Sequence, residues 1–200
     1  MIQSDVLRIM KVIGITGGIG AGKSAVCCEL EKCGARIVDC DKIARQVVEK
    51  GQPALGELVE VFGSEILTES GELDRKKMSG IVFGDAKKLE VLNRITHKYI
   101  FAEMEKQMSE STAEIVVLDV PLLFQCDFPF ECDVTVAVIA DTETRIQRVM
   151  SRDGVERAAV EARIANQLTR EEYEALADVC FENNGGLEDI RRFAEQLCEL

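Results

Sequence analysis

The eight residues Gly17-Gly18-Ile19-Gly20-Ala21-Gly22-Lys23-Ser24 constrain this chain more than any other segment. They fit G-x-x-x-x-G-K-[ST]. They follow a short β-branched run (residues 10–16, MKVIGIT) and precede a helical pattern over 24–33 that stops at Gly34. A strand, a glycine-rich turn and a helix start are the setting in which this pattern cradles phosphate. Glycines let the backbone fold tightly and aim several N–H groups at one anion. The helix start adds its positive end. Lys23 supplies a point charge for the β- and γ-phosphates of ATP, and the Ser24 hydroxyl a hard oxygen for Mg²⁺. The expected ATP contacts are therefore Gly18, Ile19, Gly20, Ala21, Gly22, Lys23, Ser24 and Ala25. The bland alternative is a glycine-rich turn without a ligand.

The rest of the chain alternates short apolar runs with longer amphipathic stretches. Strands are expected at 35–39, 114–119, 133–139 and 179–182. Helices are expected at 42–50, with Asp41 as a possible cap, at 142–152, at 157–176, and from about 187 onward. This alternation implies right-handed crossovers and a doubly wound, five-stranded parallel α/β sheet covered on both faces. Residues 51–112 break the rhythm with helical patterns at 55–62 and 86–108 and a small hairpin at 66–73. The expected organisation is a nucleotide-binding core from residues 10–50 and 113–200 and a helical insertion over 51–112. That insertion is either extra core packing or a platform for a substrate.

Several other residues suit phosphoryl chemistry. Asp39 and Asp41 alternate at the end of the second strand, so one can enter the crevice while the other faces elsewhere. A carboxylate there can accept a substrate hydroxyl proton as phosphoryl moves, and Asp41 is favoured over a purely capping role. Asp119 closes an apolar strand as a Walker-B acid would, either helping to hold Mg²⁺ or serving structure alone. Arg145, Arg148 and Arg152 fall on one helical face beside Asp153-Gly154. They read as a lid over the phosphates, spanning about 141–170, or as a solvated face paired with Glu143 and Asp153. Asn183 follows the last strand, where an amide either contacts a base or makes a turn. His97 is the single histidine.

A net charge of −12 argues against a nucleic-acid partner, which favours basic chains. Eight cysteines without a C-x-x-C pair, residues 1–9 too polar and short for a secretory signal, and no apolar run of ~18 residues point to a cytoplasmic protein without a membrane.

These segments together resemble the dephospho-coenzyme A kinase family. The resemblance is carried by GITGGIGAGKS (14–24), VDCDKIAR (38–45), GELDRKKM (71–78), LNRITHKYI (92–100), VPLLF (120–124), RDGV (152–155), ARIANQ (162–167) and ADVCFENNG (177–185). It implies a P-loop NTPase-like kinase that phosphorylates the ribose 3′-hydroxyl of dephospho-CoA with ATP and Mg²⁺, working as a monomer or weak homo-oligomer. It implies Asp41 as the base, Arg152 on the lid in catalysis, and Arg45 and His97 with Asp41 on dephospho-CoA; the residues themselves add Lys23 to catalysis, Arg148 and Asn183 as ATP contacts, and Ser24 with Asp119 as metal ligands. Residues 51–112 become the dephospho-CoA-binding insertion. The chain departs from the family pattern at Lys98, where proline is common, at Gln125, where an acid is common, and at Ala25, often threonine. Another small P-loop kinase acting on a nucleoside is the runner-up. No N-K-x-D guanine signature occurs.

Overall fold

The computed structural model describes residues 10–200; the segment 1–9, read above against a secretory signal, lies outside the described residues. A five-stranded parallel sheet is built from β1 (Lys11–Gly17), β2 (Arg36–Asp39), β3 (Ile115–Asp119), β4 (Val134–Ile139) and β5 (Val179–Glu182), in the order β2-β3-β1-β4-β5. β1 lies at the centre, with Lys11 opposite Ile115 and Ile13 opposite Val134. Its residues are apolar on both sides because helices cover both faces. On one face Ile13, Ile15, Val136 and Val138 pack with Val26 and Leu30 of α1 (Lys23–Lys32) and with Ala194 and Leu197 of α9 (Leu187–Glu199). Elsewhere Ala137 and Ile139 of β4 pack on Tyr173 of α8 (Arg170–Leu176).

α6 (Thr142–Asp153) and α7 (Arg157–Ile164) join through Ile146, Val149 and Val160, with Ile19 of the glycine loop against them. The single helix expected over 157–176 is two helices. Ile164 ends α7, and α8 begins afresh at Thr169, whose hydroxyl accepts from the Glu172 N–H while the Glu172 carboxylate accepts from the Thr169 N–H.

Two compact units emerge. The first comprises residues 10–38 with Ser111–Leu200, and the second is Asp39–Glu110. The second holds α2 (Cys40–Gln46), α3 (Pro53–Phe62), one turn of 3₁₀ helix (Ser64–Ile66), α4 (Arg75–Val82) and α5 (Ala86–Ser109). It begins at Asp39 rather than at 51 because α2 packs on α5. The hairpin expected over 66–73 reduces to one antiparallel bridge, Leu67 with Leu73. α4 has no counterpart in the sequence reading; the Asp74 carboxylate caps it by accepting from the Lys76 and Lys77 N–H groups. α5 runs unbroken through Lys98, whose ammonium, with the Tyr99 hydroxyl, donates to Glu57 of α3 at 2.9 Å each. A lysine where proline is common thus leaves the helix intact. Among the described residues no helix is long and apolar enough to cross a membrane.

Candidate active site

The loop from Gly17 to Gly22 turns β1 into α1, and its glycines are fixed by what stands against them. A Cβ on Gly20 would lie 2.6 Å from the Arg145 carbonyl oxygen and 2.9 Å from Val149, so α6 could not come as close with any other residue there. Gly22, at φ 96°, caps α1 in the left-handed region, and a Cβ would strike the Asn183 amide. The phosphate-binding pattern is therefore also a packing requirement of the neighbours.

Lys23 opens α1, and its ammonium is paired with the Asp119 carboxylate at the end of β3. Asp119 is buried, and the Cys27 thiol lies 3.6 Å from its other oxygen. Ser24 is exposed in the first turn of α1. A hydroxyl and a carboxylate are the hard oxygens that Mg²⁺ takes, so Ser24 and Asp119 fit that ion. Among the described residues no cluster of three or more His, Cys, Asp or Glu could hold a metal by itself. An ion here would take its remaining ligands from phosphate and water.

α6 and the end of β5 supply the opposite wall. The Arg148 guanidinium donates to the carbonyls of Asn183 at 2.9 Å, Ala21 at 3.4 Å and Gly20 at 3.5 Å. Asn183 is buried; its amide donates to the Ala21 carbonyl at 2.8 Å, while its side-chain oxygen has no partner. Asn183 thus braces the loop from beneath. Arg145 also lies on the loop, and burial pushes its guanidinium below the ordinary arginine value.

The structure separates the three arginines expected on one lid face. Arg145 and Arg148 contact the loop, whereas Arg152, in the last turn of α6, is exposed and donates twice to Asp153, at 2.7 and 3.0 Å. Asp153 raises the Arg152 value and is itself lowered by it. Arg163 of α7 approaches the same carboxylate at 3.6 Å. Gly154, at φ 66°, closes α6. Of the expected partners of that face, Glu143 pairs with Arg157 instead. A cavity of about 470 Å³ lies beside the loop, lined by Gly18, Asp141, Arg145, Gln167 and Tyr173 among others.

In the second unit Asp41 and Arg45 stand one turn apart on exposed positions of α2. Asp41 is not the cap. The Asp39 carboxylate accepts from the Lys42 N–H at 2.9 Å, because the helix starts two residues earlier than expected. His97 lies on α5 with its ring 5.2 Å from that of Phe101. A pocket of about 360 Å³ within this unit is lined by Val48, Met78, Val82, Leu92 and Ile100, with Arg75 at its side. Sequence reasoning missed Cys27, Arg145 as a loop contact, and Gln167. The only signal for Gln167 was its place at the end of the quoted 162–167 segment.

A family model described as dephospho-CoA kinase matches residues 11–189. A dephospho-CoA kinase from Carboxydothermus hydrogenoformans is 41% identical over 188 residues, covering 92% of this chain and 91% of its own. Among solved structures, that of TT1252 from Thermus thermophilus superposes with a TM-score of 0.84 at 35% identity, covering 96% of this chain and 98% of its own. A shikimate kinase from Bacteroides thetaiotaomicron, at 16% identity and a TM-score of 0.53, covers 96% of this chain and 99% of its own and shares the fold alone.

Proposed function

This chain belongs to the dephospho-CoA kinase family, and from that premise we propose how its residues divide the work. The reaction moves a phosphoryl group from ATP to dephospho-CoA, the final step of coenzyme A synthesis. The observation that carries the assignment of roles is the intact loop, with Lys23 seated on Asp119 in a chain that matches the family over residues 11–189.

In this reading the loop N–H groups and the start of α1 hold the β- and γ-phosphates, and Lys23 offsets their charge. Arg148 and Asn183 border the nucleotide. Ser24 and Asp119, with the phosphates, would hold Mg²⁺, which would neutralise charge on the oxygens of the transferred group. Asp41 accepts the proton of the ribose 3′-hydroxyl. With Asp39 serving the helix N-terminus, the Asp41 carboxylate is available for that role. Arg45 and His97 hold the anionic substrate, and the apolar pocket of α2, α4 and α5 suits its uncharged arm. Arg152, on the lid formed by α6 and α7, meets the charge that develops on the transferred phosphoryl. We place the reaction in the cytoplasm, in keeping with cysteines that form no disulfide among the described residues.

The test is incubation of the protein with Mg²⁺, ATP and dephospho-CoA, followed by mass analysis. Coenzyme A is the expected product. No coenzyme A, with phosphorylation of adenosine or another nucleoside in parallel reactions, would overturn the assignment.

A further inference from the structure

The first turn of the phosphate-binding loop has almost no side chains with which to hold its own shape. Gly17, Gly18 and Gly20 surround Ile19, and each carries the full backbone entropy of glycine. Something outside the loop must fix it. The Ile19 N–H donates to the Gln167 side-chain oxygen at 2.9 Å. The Ile19 carbonyl accepts from Arg145 Nε at 2.9 Å. Arg145 Nη2 donates to the same Gln167 oxygen at 2.7 Å. Both polar groups of one loop peptide-bearing residue are thus occupied by two side chains that also bind each other.

We propose that Gln167 and Arg145 are positioning residues that shape the first turn of the loop for the triphosphate and tie it to the connection between α7 and α8. The proposal rests on the kinase reading above and deepens it. Gly18 supplies independent support. A Cβ there would collide with the Arg145 guanidinium and lie 2.9 Å from the Gln167 oxygen, so the pair occupies space that only glycine leaves open. Gln167 sits between the end of α7 and the Thr169 cap of α8, with its N–H donating to the Ile164 carbonyl at 3.0 Å. That backbone bond fixes the segment that presents the amide. Through Gln167, the arginine-bearing α7 and the phosphate-binding loop share one hydrogen-bonded junction. Arginine suits the other half because its planar fork reaches Ile19 and Gln167 from two nitrogens at once.

The experiment compares wild type with Gln167→Met, Arg145→Lys and the double variant. Methionine keeps the length of glutamine without its acceptor, and lysine can satisfy only one of the two partners at a time. Three quantities are read: KM for each substrate, ATP affinity by titration calorimetry, and the thermal midpoint. Each single variant should weaken ATP binding and raise its KM roughly ten-fold, the scale of one or two lost hydrogen bonds. KM for dephospho-CoA should stay within about two-fold, and the double variant should lose little more than the worse single one. Unchanged ATP affinity in Gln167→Met would overturn the proposal. So would losses that multiply in the double variant, or equal rises in both KM values with a collapsed thermal midpoint. Calorimetry needs no phosphoryl acceptor, so failure of the substrate assignment is distinguishable from failure of the junction.

Discussion

Lys23 and Asp119 form a pair whose side chains are only 15% and 9% exposed, so neither charge has ready access to water. Removing one partner of such a pair leaves the other desolvated and uncompensated. Lys23→Ala should therefore abolish turnover and also destabilise the protein without nucleotide, by about 3–5 kcal/mol. Denaturant unfolding beside an activity assay checks both, and near-normal turnover would remove Lys23 from the mechanism. Asp41 makes the opposite case, since it is exposed and Asp39 already serves the helix. Asp41→Asn should leave ATP binding and stability unchanged while lowering kcat by roughly 10²–10⁴. Arg152→Ala should lower kcat by the equivalent of about 2–4 kcal/mol while ATP binding changes less, with Arg152→Lys rescuing in part. Steady-state kinetics beside ATP calorimetry decides; equal losses in both would make Arg152 a ground-state contact. At this scale the sequence was legible where chemistry fixes spacing, as at residues 17–24. It was not legible where an unremarkable side chain acts through the fold. Gln167 lies 148 positions from the Ile19 N–H it accepts, and no local pattern marks such a contact.

Among the elements, strands and the long helix α5 follow their apolar periodicity closely, because burial on a covered sheet leaves few alternatives. Misreadings fell where capping overrules periodicity. Residues 157–176 carry a helical pattern throughout, yet Thr169-Arg170-Glu171-Glu172 contains a complete capping box, and it restarts the helix. α4 was hidden by its length and by Gly80, and it exists because Asp74 satisfies its first N–H groups. Thr169→Ala should cost about 1 kcal/mol of stability through the lost cap. The measurement is a urea midpoint with the slope unchanged; a midpoint equal to wild type would mean that packing of Tyr173 alone sets the start of α8.

For the molecule as a whole, many carboxylates are held below their ordinary values. The Lys98 ammonium, then the Tyr99 hydroxyl, lowers Glu57; the Arg157 guanidinium lowers Glu143; Arg170 lowers Glu182; and the Lys77 N–H lowers Asp74. Depressed folded values mean stability that is fully present above the unfolded carboxylate range, near 4, and lost as pH falls through the folded values. The thermal midpoint should thus hold from pH 8 to about 5 and fall below about 4, with Glu57→Gln variants shallower in the fall. A midpoint that rises on acidification would refute this. The division of the chain was only partly legible, because no break in the pattern falls at residue 39 and it is the packing of α2 on α5 that places residues 39–50 in the second unit. The central position of β1 carries a consequence for biosynthesis. Lys11 finds its neighbour at Ile115, so the strand that bears the loop leaves the ribosome about 100 residues, or roughly 5–20 s, before its first partner exists. During that interval the helices of Asp39–Glu110 can close on one another through contacts of short sequence range, while a strand destined to be buried over six of its seven residues stays unpaired. A nascent chain stalled within residues 39–110 would therefore expose β1 to chaperones, and the nucleotide could not favour folding until β3 and β4 had been translated.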